Sequence, residues 1–349
     1  MEQCFAAFDR DGDGFMTLED FGVLCRSLFR NEDAVSYEVD DMKMKEIFEV
    51  FDLNEDNNID LDEFRLCWQH WIKKIVRPCS VLLVVDVQND FISGTLSLSN
   101  CPAKHNGEEV LEPINRMIEN VPFDHVFYTM DWHPKNHISF IDNVKLWPVD
   151  ESSKIKGDEA KLYDTITFSG SPPFEQQLWP AHCIQDTWGA KLHESLKVVE
   201  SGMTIYKGTT PGVDFYSAFW DNQKVKSTTL NEELKKRRIT DVYCCGIAYD
   251  ICVGRTAADS LISGYRTVMI EDACRAVSLE NMKSTKEKLE GLHAVFVNSD
   301  KVRNMVRGKD RRPELGYYSA MQLKGKLPTI SPPKSPLSPS DFRRAVELD

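Results

Sequence analysis

Five stretches of the chain are short, nearly continuous apolar runs: VLLVVDV from Val81, DHVFYTMDW from Asp124, DVYCCGIAY from Asp241, RTVMIED from Arg266 and HAVFVNS from His293. They are rich in valine and isoleucine, the pattern of strands covered on both faces. A shorter run, MTIY from Met203, reads the same way. Between some of them, EEVLEPINRMIENV and CVGRTAADSLISGY place apolar residues at helical spacing, as a helix with one buried face does. Strands alternating with helices predict an α/β fold: a mostly parallel open sheet flanked by helices.

The pattern differs upstream. KMKEIFEVF before Asp52 and EFRLCWQHWIKKI after it have helical spacing, and Arg77-Pro78 then breaks the helix because proline disfavours a helical predecessor. An all-α unit over 1–76 is therefore expected ahead of an α/β domain over 78–308. Between Phe140 and Trp179 the chain turns polar and proline-bearing without strong periodicity, which predicts a long surface insertion or lid. Residues 309–349 mix proline, serine and charge, and a disordered tail is expected there, with Ser-Pro pairs at Ser331, Ser335 and Ser338.

Charge sharpens this division. The net charge is −13, and residues 1–75 carry 19 acidic against 8 basic side chains, a balance of −11 that leaves −2 for the rest. Concentrated acidity suits a divalent-cation binder. No one-sided basic surface points to nucleic acid, and no apolar run reaches the length of a membrane span. The N-terminus MEQCFAAFDRDGDG lacks a signal-peptide pattern, so a cytoplasmic protein, with nuclear access open, is expected. Its ten cysteines then read as reduced thiols. Composition is silent on oligomeric state.

Two loops 43 residues apart carry carboxylates on alternate positions. DRDGDGFMTLED offers Asp9, Asp11, Asp13, the Phe15 carbonyl and Asp20 as oxygen ligands, with aspartate where the last position favours glutamate. DLNEDNNIDLDE offers Asp52, Asn54, Asp56, the Asn58 carbonyl and Glu63, with Asn57 at the turn position that favours glycine. Met16 and Ile59 would pair between loops. The two loops resemble an EF-hand pair, which implies bound calcium.

The remaining chemistry gathers at strand ends. Asp86, Asp131, Lys207 and Cys252 each follow a predicted strand, and ligands of open parallel sheets sit outside the carboxyl ends of the strands. A carboxylate, an ammonium and a thiol at one crevice suggest a cysteine hydrolase, with Cys252 near a helix N-terminus that favours the thiolate. Asp131 and His133, joined by His137 or His182, supply one oxygen and two nitrogen ligands for a divalent metal.

DVQNDF, DWHPKNH, WPAHC, YKGT and GIAYDICV are five ordered blocks within 78–308 that resemble the nicotinamidase branch of the isochorismatase-like cysteine hydrolases. The resemblance implies a triad of Asp86, Lys207 and Cys252, and an oxyanion hole from the Ala248 and Cys252 N–H groups beside a cis peptide at Ile247-Ala248. It also implies metal ligands Asp131, His133 and His182, leaving His137 a supporting role. The metal expected is zinc, with iron and manganese as alternatives. Phe91, Trp179 and Tyr216 align with a ring pocket. The implied reaction is hydrolysis of nicotinamide to nicotinate and ammonia, modulated by calcium. Its rivals are a related amidase with another small substrate and a calcium-responsive binding protein with an inactive hydrolase domain.

Overall fold

The computed structural model describes residues 1–328. Every apolar run read as a strand is one: β1 (Ser80–Val85), β2 (His125–Asp131), β5 (Met203–Lys207), β6 (Asp241–Ile247), β7 (Arg266–Arg275) and β8 (Val295–Val297), with β3 (Thr165–Phe168) and β4 (Phe174–Gln177) in a separate hairpin. The six form one sheet in the order β5-β2-β1-β6-β7-β8, with every adjacent pair parallel. All positions of β1 and β6 are buried, so helices must cover both faces, since successive side chains point to opposite sides. Helix Leu111–Asn120 packs on Ser299–Val306, and Gly254–Ile262 on Leu279–Gly291.

This order dictates where a ligand binds. From β1 the chain builds outward through β2 and β5, then returns to β6 and builds the other way through β7 and β8. The sheet reverses direction between β1 and β6, and the crevice of such a fold opens at that point. Asp86 follows β1 directly and Cys252 lies five residues beyond the last residue of β6.

The insertion differs from expectation. It holds the antiparallel β3–β4 hairpin and a small core of its own, in which Ile138, Val144, Ile166, Phe168 and Leu178 are buried. Four-residue strands are too short to leave a readable period in the sequence.

The N-terminal unit consists of helices Glu2–Phe8, Leu18–Leu28, Asp41–Phe51 and Leu61–Cys67, the last running through a wider π-turn at Trp68–Ile72 to Val76. Thr17 with Asp20, and Asp60 with Glu63, form reciprocal caps that start the second and fourth helices. Trp71 is fully buried, its ring centroid 5.5 Å from Phe51, 5.8 Å from Phe29 and 6.1 Å from Phe21.

The tail expectation needs correction. Residues 309–328 are ordered and include helix Pro313–Met321, which starts on a proline and buries Leu315, Tyr318 and Ala320. Proline at the first helical turn is compatible with a helix, and the apolar area this one buries lies on two other units and so is invisible to local composition. Residues 329–349, with the three Ser-Pro pairs, lie outside the described residues. Among the described residues no helix is long and apolar enough to cross a membrane.

Candidate active site

Strand register assembles the site. Asp131 pairs with Lys207 across β2 and β5, and Val85, one residue before Asp86, pairs with Thr129 on β2 and Gly246 on β6. Asp86 itself adopts φ 50°, a left-handed conformation costly for a non-glycine residue, and its side chain is fully buried. The Thr129 hydroxyl donates to Asp86 Oδ1 at 2.6 Å, fixing the carboxylate.

Lys207 stands at the centre. Its Nζ lies 2.8 Å from Asp86 Oδ2, bonds Asp131 Oδ1, donates to the Phe215 carbonyl at 3.0 Å and reaches Cys252 Sγ at 3.5 Å. Donor atoms of Asp86, Asp131 and Cys252 all lie within 4.8 Å of one another. Asp86 Oδ2 faces the Lys207 ammonium, and an ionised carboxylate oxygen keeps a second lone pair for the thiol proton. Burial pushes the Asp86 carboxyl up, against the pull of Lys207. Burial acts the same way on Asp131, but Lys207 and His133 outweigh it and hold that carboxyl far below its ordinary range. Burial lowers the Lys207 ammonium, yet Asp131 and Asp86 more than compensate and keep it charged.

Cys252 is held between opposing influences. It sits in the π-turn Tyr249–Val253, and burial, with Asp86 and Asp131 nearby, pushes its thiol well above the ordinary value despite Lys207. Desolvation thus opposes the pull of Lys207 and the helix terminus on the thiol. The Ile247-Ala248 peptide is cis, and Ala248 and Cys252 both line the cleft.

Asp131 divides its oxygens. Oδ1 serves Lys207, while Oδ2 faces His133 Nε2 at 3.5 Å and His182 Nε2 at 3.9 Å. His133 Nδ1 donates to the Gly208 carbonyl at 3.0 Å and His182 Nδ1 to the Pro180 carbonyl at 2.7 Å. Because a carbonyl only accepts, each Nδ1 carries a proton, which in the neutral ring leaves the Nε2 lone pair on the side of Asp131. Gly208 has φ +64°, and a Cβ there would lie 2.3 Å from His133 Cε1, so glycine is required for the ring to seat. Three buried donors within 4.8 Å suit a divalent ion.

His137 is close, its ring centroid 4.1 Å from that of His133. Its Nε2 donates to the Val213 carbonyl at 3.1 Å, and its Nδ1 accepts from the Ser139 hydroxyl at 2.7 Å. Both nitrogens are engaged, so no lone pair is left for a metal.

Phe91, Trp179 and Tyr216 form part of the wall of the cleft beside these groups, with Leu96, Ile251 and Val277. Sequence reasoning missed several supports. Gln88 grips Asp131 from both sides, accepting its N–H and donating to its carbonyl, each at 2.8 Å. Gln176, on β4 of the insertion, donates to Asp214 Oδ2 at 2.8 Å and to the Tyr216 hydroxyl at 3.4 Å, and that hydroxyl also accepts from Trp179 Nε1 at 3.2 Å. Gln88 stands inside a quoted block, but nothing in the insertion's sequence singles out Gln176. Gln176→Leu is expected to raise KM about tenfold with a smaller change in kcat, since it loosens the ring wall and leaves the triad intact; equal losses in both constants would count against a positioning role.

The calcium loops have the expected shape. Met16 and Ile59 exchange two backbone bonds of 2.9 Å, beside Phe15 and Asn58. The first carboxylate of each loop, Asp9 or Asp52, accepts the turn residue's N–H, from Gly14 at 3.1 Å and Asn57 at 3.0 Å, and both turn residues take positive φ. Donor atoms of Asp9, Asp11 and Asp13 lie within 4.8 Å of one another. Asn54 and Asp56 close the second loop by accepting backbone N–H groups at 2.9 Å. Asp20 and Glu63 are both engaged: Asp20 Oδ1 accepts from Arg10 Nε at 2.6 Å, and Glu63 accepts from Leu53 N at 2.8 Å and Asp60 N at 3.0 Å.

A buried thiol with a carboxylate and an ammonium in reach, beside a carboxylate and two imidazoles, is the equipment of a cysteine hydrolase. The chain belongs to the isochorismatase family: the isochorismatase domain model matches residues 80–300, and the EF-hand domain pair model matches residues 1–66. The nicotinamidase of Acinetobacter baylyi is 37% identical over 199 residues, 57% of this chain and 82% of its own. Among solved structures, the Acinetobacter baumanii nicotinamidase/pyrazinamidase superposes with a TM-score of 0.55 at 33% identity, covering 64% of this chain and 98% of its own. The yeast nicotinamidase bound to the inhibitor nicotinaldehyde gives 0.54 at 30% identity, covering 63% and 99%.

Proposed function

We propose that this chain is an amidohydrolase that converts nicotinamide to nicotinate and ammonia, a step of NAD salvage, through a thioester on Cys252. The observation that carries the reading is the buried Lys207 Nζ, placed between Asp86, Asp131 and Cys252, the last two of which line an aromatic-walled cleft. Nicotinamidase relatives at 30–37% identity support the substrate.

Asp86 takes the thiol proton and Sγ attacks the carboxamide carbon. The carbonyl π electrons move to oxygen, and the Ala248 and Cys252 N–H groups hold the oxyanion. Collapse re-forms C=O and expels the amine, which leaves as ammonia with the proton from Asp86. Water then attacks the thioester, Asp86 accepts its proton, nicotinate departs and the thiolate is reprotonated. Lys207 keeps its charge throughout and offsets the negative charge that passes between Asp86 and Sγ. Phe91, Trp179 and Tyr216 hold the pyridine ring.

Asp131, His133 and His182 would hold a divalent ion, zinc first by its preference for two imidazoles and a carboxylate, which when bound supplies a Lewis acid for the ring nitrogen or water. Calcium would occupy the EF-hand loops, the second with the fuller ligand set because Asp20 is short and paired with Arg10.

The test is nicotinate and ammonia formation by the purified chain over nicotinamide, pyrazinamide and carbamoyl compounds, with metal analysis of the same sample. Preference for a carbamoyl substrate would overturn the assignment. Stripping the hydrolase metal is expected to reduce turnover by at least about tenfold and to be reversed by one equivalent of zinc, iron or manganese; full activity in metal-free protein would contradict the role of Asp131, His133 and His182.

A further inference from the structure

The apolar core of the EF-hand pair closes on a helix from the far end of the chain. In helix Pro313–Met321, a Cβ on Gly316 would lie 2.2 Å from the buried Phe29 ring, and the Gly316 carbonyl accepts from Trp71 Nε1 at 2.9 Å. Ala320 is fully buried in the same core, and the Tyr317 hydroxyl donates to Glu46 at 2.5 Å. The approach to the helix is tied to the same unit: Arg311 N donates to the Arg30 carbonyl at 2.9 Å, and the Tyr37 hydroxyl to Asp310 at 2.8 Å.

The other side of this helix belongs to the α/β domain. Leu315 and Tyr318 are buried in the core around the sheet, and the Tyr318 hydroxyl donates to the Leu261 carbonyl. Leu261 lies in the last turn of helix Gly254–Ile262, which continues directly from the π-turn that carries Cys252. One nine-residue helix thus contacts both the Trp71 cluster in the core of the EF-hand pair and the far end of the helix that positions the thiol.

We propose that Pro313–Met321 is the internal target helix of the EF-hand pair and couples cation loading of its loops to the segment that carries Cys252, resting on the assignment of Cys252 as nucleophile only for its effect on turnover. Cation binding to sensor EF-hands favours the open arrangement that exposes an apolar groove, and here the groove is filled from within. Calcium and the docked helix therefore stabilise each other, and the effect is reciprocal: loosening the helix must weaken calcium binding by the factor by which calcium tightens the helix. Tyr318 passes that tightening to Leu261.

The experiment uses the full chain with its hydrolase metal retained, in calcium or in EGTA, and reads hydrogen exchange, calcium affinity by titration calorimetry and ammonia release. Calcium is expected to slow exchange in both 313–321 and 249–262. Gly316→Ala is expected to weaken calcium binding about fivefold or more. Tyr318→Phe is a milder change that preserves the fold; it should keep the slowing in 313–321 and lose it in 249–262. Exchange in 249–262 that ignores calcium, or calcium affinity unchanged in Gly316→Ala, would overturn the coupling. Coupled exchange without ammonia release would support it and overturn the hydrolase assignment instead.

Discussion

Cys252→Ala is expected to abolish ammonia release from nicotinamide, lowering turnover by about 10⁴-fold or more, the scale seen when a covalent nucleophile is removed. The alternative thiols do not reach the cleft: among the cysteines only Cys252 lines it. The fold should survive, because Lys207 keeps Asp86, Asp131 and the Phe215 carbonyl as partners when the sulfur is lost. Nicotinamide binding should survive too, since the aromatic wall and the Asp131, His133 and His182 donors are untouched. Binding by calorimetry alongside ammonia release separates the two effects, and turnover above about one hundredth of the parent would sink the nucleophile.

Lys207→Met should damage both stability and activity. It leaves two buried carboxylates facing each other with no cation between them, and removing one partner of a buried pair costs about 3–5 kcal/mol. Chemical unfolding of the variant, followed with Asp86→Asn and with the double variant, measures this. Asp86→Asn removes one of the two charges, so the double variant should be more stable than Lys207→Met alone. A loss below about 1 kcal/mol in Lys207→Met would mean that the cluster is held by something other than charge pairing. Activity should fall in both single variants, Asp86→Asn by loss of the proton acceptor and Lys207→Met by loss of the charge that balances it.

How much was legible follows from how local each signal is. The sheet strands were readable because a strand covered on both faces must be apolar throughout, and the cation loops because alternate oxygen ligands impose a fixed spacing. The site residues were readable as strand-end positions in ordered blocks. The insertion's hairpin was not, since its strands are four residues each. Nor was helix Pro313–Met321, whose partners Phe29 and Trp71 lie more than 240 residues away in sequence. Proximity of Cys252 to a helix start was visible in the sequence, whereas its burial beside two carboxylates, which pushes the thiol up, was not.

The sequence by itself determined that the chain joins a cation-loop pair to a parallel α/β domain, and it placed a thiol, an ammonium and two carboxylates at strand ends. Backbone hydrogen bonding and apolar burial impose periods that any one stretch of chain displays. Only the tertiary structure decided which histidine faces Asp131, because that depends on which carbonyl each ring meets: Gly208 and Pro180 leave His133 and His182 a free nitrogen, while Val213 and Ser139 occupy both on His137. It also decided that segments 245 residues apart meet at Trp71 and Gly316. Such contacts are set by the packing of whole units against each other, and no local period records them.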